Sequence, residues 1–144
     1  MTKTRTLPLI FVFLLACSSA AYSQSPVEEF SFQIKDFKMD HQTQTNNLNI
    51  TISYRYVADI QTPEYPDFRW LAKDVETFLT GYPNEDDYWE IVNKQITSLL
   101  FQKYPALTSV TCELKVDPSR VVPYSRSSRV TRERAATPAK RKRN

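Results

Sequence analysis

The 144 residues are enough for one domain of ordinary size, with 19 basic and 16 acidic residues and a net charge of +3. The charge is uneven, because residues 24–131 hold 11 basic and 15 acidic residues, whereas the last 13 residues are strongly basic. A mildly acidic body excludes the usual nucleic-acid-binding domain, which needs a basic face. One His and two Cys exclude the usual zinc sites, and a single Gly excludes a glycine-rich phosphate loop.

Residues 1–23 have the pattern of an export signal peptide. Lys3 and Arg5 supply a positive start, and an apolar run of about ten residues follows, which is too short for a membrane-spanning helix. Ala21-Tyr22-Ser23 is a small-x-small cleavage site, so the exported chain is expected to begin near Gln24. This pattern predicts a secreted or periplasmic protein.

An alternative for the same segment is lipidation. Leu14-Leu15-Ala16-Cys17 is similar to a bacterial lipobox, and a lipid on Cys17 would anchor the protein to a membrane. Under either cleavage Cys17 cannot pair with Cys112 inside the fold. Cys112 is therefore expected to be a buried structural residue, since it lies on the apolar face of a predicted strand.

Two strands are predicted at the start of the folded part. Residues 30–35 alternate between apolar and polar side chains, and residues 48–56 alternate more strictly. The polar stretch 40–47 between them is rich in turn-forming residues, so the two strands form an antiparallel hairpin. His41 lies in this connection and is expected to be an ordinary surface residue.

A first helix is predicted over Phe68–Thr80. Asp67 precedes it as a helix N-cap, and Gly81, the only glycine, lies where a left-handed C-terminal cap belongs. Its apolar face recurs at helical spacing and consists of Leu71, Val75, Phe78 and Leu79.

A second helix follows and ends at Pro105. Asn84 is expected to cap it, with the acidic residues 85–87 in its first turn, where the helix dipole favours negative charge. Residues 110–116 alternate as a third strand, and residues 124–133 alternate weakly as a fourth. The apolar stripe of the second helix consists of Trp89, Val92, Ile96, Leu99 and Leu100.

The predicted fold is α+β, with a four-stranded antiparallel sheet and two helices on one face, in the order ββααββ. It occupies residues 24–134, and residues 135–144 form a basic tail that is expected to be disordered. The face of the sheet away from the helices either meets water or lines an oligomeric barrel. It would carry Asn49, Thr51, Ser53, Arg55, Thr111, Glu113 and Lys115.

This order of elements resembles the tunnelling fold, and the similarity is greatest to dihydroneopterin aldolase, over about residues 68–132. The helix–Gly–helix segment of that family is similar to Val75–Gly81 followed by Tyr88–Val92, and the end of its third strand is similar to Leu114–Pro118. The resemblance implies a homo-oligomer that binds a pterin- or purine-like ring between subunits, with no cofactor.

The resemblance also implies two functional residues. The family's ring-anchoring Glu corresponds to Glu90, whose carboxylate can accept two hydrogen bonds from a ring's amino group and adjacent N–H. The family's catalytic Lys corresponds to Lys115, which would carry a proton in a retro-aldol cleavage.

The chain departs from the aldolase pattern at two places. A Tyr-Gly-x-His-Gly stretch is replaced by residues 37–42, which lack the Tyr and both Gly. The Tyr expected at the start of the first helix is either replaced by Phe68 or displaced to Tyr65. Two hypotheses therefore remain open. The protein is an aldolase-like pterin-binding lyase, or it is a non-catalytic secreted or envelope domain that keeps the fold for oligomerisation or partner binding.

Overall fold

A computed structural model describes residues 28–58, 60–83 and 85–135. The predicted signal peptide with Cys17, the predicted cap Asn84 and residues 136–144 of the predicted tail lie outside these residues. The predicted order of elements is confirmed. In chain order the elements are β1 (Phe30–His41), β2 (Gln44–Tyr56), a 3-10 turn (Thr62–Glu64), α1 (Phe68–Thr80), α2 (Trp89–Lys103), β3 (Leu107–Val116) and β4 (Arg126–Glu133).

The sheet has the order β1-β2-β3-β4, and every neighbouring pair is antiparallel. Alternation along β2 gives the sheet two different faces, because successive side chains point to opposite sides. Both helices pack on the apolar face, α1 against β1 and α2 against β3 and β4. The buried apolar side chains of β2 on that face are Leu48, Ile50, Ile52 and Tyr54.

The polar connection predicted at residues 40–47 is shorter in the structure. β1 continues to His41 and β2 begins at Gln44, so only Gln42 and Thr43 form the turn. Both have positive φ, 52° and 64°, which is the conformation that suits the twist of a two-residue hairpin. Asn-Gly is the usual sequence there, and a β-branched Thr rarely adopts positive φ.

A β-bulge explains why β1 extends further than its alternation predicts. The register shifts between Ile34 and Phe37, and Asp36 has a φ of 55°. The extra residue moves the inward-facing positions from even to odd numbers, so Ile34 is buried before the bulge and Met39 and His41 after it. The prediction that His41 lies on the surface is therefore wrong, because its side chain is 1% exposed.

The ends of the two helices differ from the predictions. Gly81 has a φ of −96°, so it is not a left-handed cap, and its N–H bonds Thr77 O at 3.1 Å instead. α2 begins at Trp89, so the acidic residues 85–87 precede the helix and do not form its first turn. Asp67 does cap α1, since its carboxylate accepts a hydrogen bond from the N–H of Arg69 at 2.9 Å.

The predicted apolar faces of both helices pack against the sheet. Phe78 of α1 and Leu99 of α2 are half-buried, and the other predicted positions are buried. Two polar residues of α2, Asn93 and Thr97, are also fully buried, although neither belongs to the predicted apolar stripe. In the part of the chain that the structure describes, neither helix combines the length and the apolar character that crossing a membrane requires.

Cys112 lies in β3 and is fully buried, as predicted. Burial raises the pKa of its thiol to about 12. The thiolate is the nucleophilic form, so this side chain remains an unreactive thiol at neutral pH and acts as a small apolar core residue.

Candidate functional site

A cavity of about 310 Å³ lies at the start of α2, where β3 ends and β4 begins. Leu114 and Val116 contribute apolar side chains to its lining. The other side chains that line it are mostly polar or aromatic, and they include Gln42, Tyr88, Trp89, Glu90, Arg126 and Ser128. Concavities of similar volume occur elsewhere on the chain, but this one contains the predicted ring anchor, Glu90.

Glu90 lies in the first turn of α2, as predicted. Its side chain is exposed at the cavity and forms no ion pair within the described residues. The free N–H groups at a helix start favour a negative charge at such a position. An ionised carboxylate without a partner is available to accept hydrogen bonds from a ligand.

The backbone before α2 is held by the β1–β2 turn. The carbonyl oxygen of Asp87 accepts hydrogen bonds from His41 Nε2 at 2.8 Å and from Gln42 Nε2 at 3.1 Å. The N–H of Gln42 also donates to Glu85 O at 3.2 Å. The side chain of Asp87 accepts a hydrogen bond from the hydroxyl of Tyr82. We call this set of contacts the Asp87 clamp, and it fixes where α2 begins.

His41 acts as a hydrogen-bond donor within the clamp. A carbonyl oxygen can only accept, so Nε2 of His41 carries the proton of this hydrogen bond. Nδ1 is buried and has no hydrogen-bond partner within the described residues. The imidazole packs against the indole of Trp89, with 4.5 Å between the ring centroids. His41 therefore supports a residue that lines the cavity, although it does not line the cavity itself.

Buried polar atoms without partners concentrate around this cavity. Such atoms are rare in folded proteins, and each one needs an explanation. Six occur in the described part of the chain, and two of them, Trp89 Nε1 and Arg126 Nε, belong to residues that line the cavity. A third is His41 Nδ1, and a fourth is Asn93 Oδ1, whose amide nitrogen bonds Ser128 Oγ at 3.1 Å.

Lys115 does not share the cavity with Glu90. It lies near the end of β3, as predicted, but its neighbours Leu114 and Val116 are fully buried under the helices and Lys115 is exposed. Its side chain therefore projects from the other face of the sheet, beside Asn49 and Ser127 on the adjacent strands. Within one chain the two predicted site residues are separated by the sheet, and their roles remain predictions.

Of the residues that line this cavity, the sequence singled out only Glu90 as a site residue, and the omissions that matter most for its chemistry are Trp89 and Arg126. Trp89 was predicted only as part of the apolar stripe, although its indole nitrogen has no hydrogen-bond partner among the residues that the structure describes. Arg126 was assigned to a partly exposed strand, and no local pattern distinguishes it from the other basic residues of that strand. Within the described residues, no three His, Cys, Asp or Glu side chains are grouped closely enough to hold a metal ion.

Comparison with known proteins identifies structural neighbours only. No protein-family model matches the sequence, and no curated protein matches it. A protein from Vibrio cholerae assigned as dihydroneopterin aldolase has a TM-score of 0.55 and 9% identity, covering 73% of this chain and 98% of its own. Dihydroneopterin aldolase from Burkholderia thailandensis bound to guanine has a TM-score of 0.55 and 12% identity, covering 76% and 93%. At these identities the likeness shows the fold alone.

The Asp87 clamp predicts a pH dependence of stability. Burial, and then the hydrogen bond to Asp87, raise the pKa of Tyr82 from 10.0 to about 12. The clamp contribution is therefore fully present below pH 10 and is lost as pH rises through about 12. Below pH 10, we expect the unfolding free energy of Tyr82→Phe to be about 1 kcal/mol lower than that of wild type. As the pH rises from 10 to 12, the unfolding free energy should fall less for Tyr82→Phe than for wild type, because the variant has no hydroxyl to ionise at this position.

Urea unfolding across this pH range measures both effects. Tyr124→Phe is the matched control, since Tyr124 is largely exposed, and we expect it to follow wild type. Other buried tyrosines are present in all three proteins and contribute equally. A Tyr82→Phe curve parallel to wild type above pH 10 would show that the clamp hydroxyl does not couple to stability.

Proposed function

We propose that this chain, which has the tunnelling fold of the dihydroneopterin aldolases, binds a fused nitrogen heterocycle of the pterin or purine kind at the start of α2. The observation that carries the proposal is the carboxylate of Glu90, which has no ion-pair partner within the described residues. It lies at a cavity lined also by Trp89 and Arg126, each of which has a buried nitrogen without a partner in the same part of the chain. A structural neighbour bound to guanine supports the same ligand class.

The chemistry of the cavity suits such a ring. A ring with an amino group beside a ring N–H presents two parallel donors, which a carboxylate accepts as a charge-assisted pair. A flat face of the ring can pack against Tyr88, an exposed aromatic residue that lines the cavity. The volume of about 310 Å³ is at the lower end of the range for small-molecule pockets, roughly 300–1,000 Å³.

We also propose that the protein is exported, on the basis of residues 1–23. N-terminal sequencing of the protein from its own host is expected to begin near Gln24. A chain that begins at a lipidated Cys17 would support membrane anchoring instead, and a chain that retains residues 1–23 in the cytoplasm would contradict export.

Glu90 is expected to be essential for ring binding. We predict that Glu90→Gln weakens guanine binding at least tenfold, because the amide replaces one acceptor oxygen with a donor and removes the charge. Titration calorimetry with guanine and with dihydroneopterin measures the loss. Glu76→Gln, an exposed position on α1, is the matched control and should bind as wild type does. Equal affinity of Glu90→Gln and wild type would contradict the proposal.

A binding function without catalysis is favoured over an aldolase by the two departures from the aldolase pattern, at residues 37–42 and at Phe68. The lysine lies across the sheet from the cavity, so retro-aldol chemistry there would need Lys115 from a second copy of the chain. We therefore expect the purified protein to bind dihydroneopterin without cleaving it. Chromatographic analysis of the pterin after incubation tests this. Cleavage by wild type that is lost in Lys115→Ala would establish the aldolase hypothesis in its place.

A further inference from the structure

Arg126 is a second charged residue of the cavity, and its donors are largely unused. The only hydrogen bond that its side chain makes within the described residues is from Nη2 to Asn46 Oδ1, at the long distance of 3.5 Å. Nε is buried without a partner, and no ion pair in this part of the chain includes Arg126. A guanidinium carries five N–H donors in a fixed planar fork, so most of its capacity remains available.

The sheet register places Arg126 against the same cavity as Glu90, but on a different element. Arg126 is the first residue of β4 and pairs with Val116, whose side chain contributes to the lining. Glu90 enters the cavity from α2. No ion pair joins Arg126 and Glu90 within the described residues. The cavity therefore offers a planar set of donors and a separate pair of acceptors to one ligand.

We propose that Arg126 determines the specificity of the cavity by binding the oxo edge of a 2-amino-oxo fused ring. This inference rests on the proposed function, in which Glu90 binds the amino edge of the same ring. A guanine-type ring carries two neighbouring acceptors, O6 and N7, and arginine binds this pair through two parallel hydrogen bonds. A pterin carries a similar arrangement of a carbonyl oxygen beside a ring nitrogen.

The same geometry excludes adenine-type rings. Adenine presents an amino donor where guanine has O6, so it would face the donors of Arg126 with a donor of its own. Adenine also lacks the ring N–H from which the Glu90 carboxylate would accept a hydrogen bond. Donors that are left unpaired at a desolvated site lower the affinity for adenine. The specificity therefore results from weak binding of adenine-type rings as much as from strong binding of guanine-type rings.

The test compares guanine with 7-deazaguanine by titration calorimetry. The two rings have nearly the same shape and the same amino edge and O6, but 7-deazaguanine has a C–H in place of N7. Wild type should bind guanine at least tenfold more tightly, because a hydrogen bond from a charged donor is lost with N7. In Arg126→Met, which keeps a long side chain without donors, both rings should bind more weakly and with equal affinity.

Arg129→Met is the matched control, because Arg129 lies on the same strand, is exposed and does not line the cavity. It should keep the wild-type preference for guanine. Arg126→Lys keeps the charge without the planar fork, and it should lose the preference while retaining part of the affinity. Glu90→Gln should weaken both rings in parallel and leave their ratio unchanged.

The outcomes separate this inference from the proposed function. Wild type that binds neither ring would contradict ring binding itself, and the role of Arg126 with it. Equal binding of both rings by wild type would overturn the role of Arg126 and leave ring binding intact. A preference for guanine that persists in Arg126→Met would also overturn the role of Arg126, because another residue would then donate the hydrogen bond to N7.

Discussion

Strict alternation along β2 is the constraint on which the rest of the fold depends. The buried positions of this central strand, 48, 50, 52 and 54, fix one face of the sheet as the surface that both helices must cover. Register then extends this division to β3, where residues 114 and 116 face the helices and residue 115 faces away. Glu90 and Lys115, the two residues that the aldolase resemblance implies, therefore lie on opposite sides of the sheet. The alternation that buries the core is also what directs residue 115 away from the helices.

The polar half of the candidate site depends on contacts far apart in sequence. Asp87 accepts hydrogen bonds from residues 41 and 42, which are about 45 positions earlier, and these contacts set the start of α2. Trp89 and Glu90 occupy the cavity only because the helix begins at that point. The cavity is thus assembled between the tip of the β1–β2 hairpin and one end of a helix.

Periodicity was sufficient to predict the elements, their order and most of the core, because alternation and helical spacing are local properties. The bulge at Asp36 is not a property of the local alternation, and its one extra residue reverses which side chains of β1 face inward. The same bulge explains why His41 is buried although its neighbours are polar. Arg126 could not be identified as a cavity residue, since its position follows from pairing with Val116 and from no pattern in β4 itself.

The turn at Gln42 and Thr43 has a consequence for engineering this molecule. Holding a non-glycine residue at positive φ costs about 1–3 kcal/mol, and Asn-Gly would form the same turn with less strain. That replacement would also shorten the side chain at position 42, where Gln42 reaches both the cavity and the carbonyl of Asp87. A turn with less backbone strain would therefore come at the expense of the cavity wall and of one hydrogen bond of the Asp87 clamp.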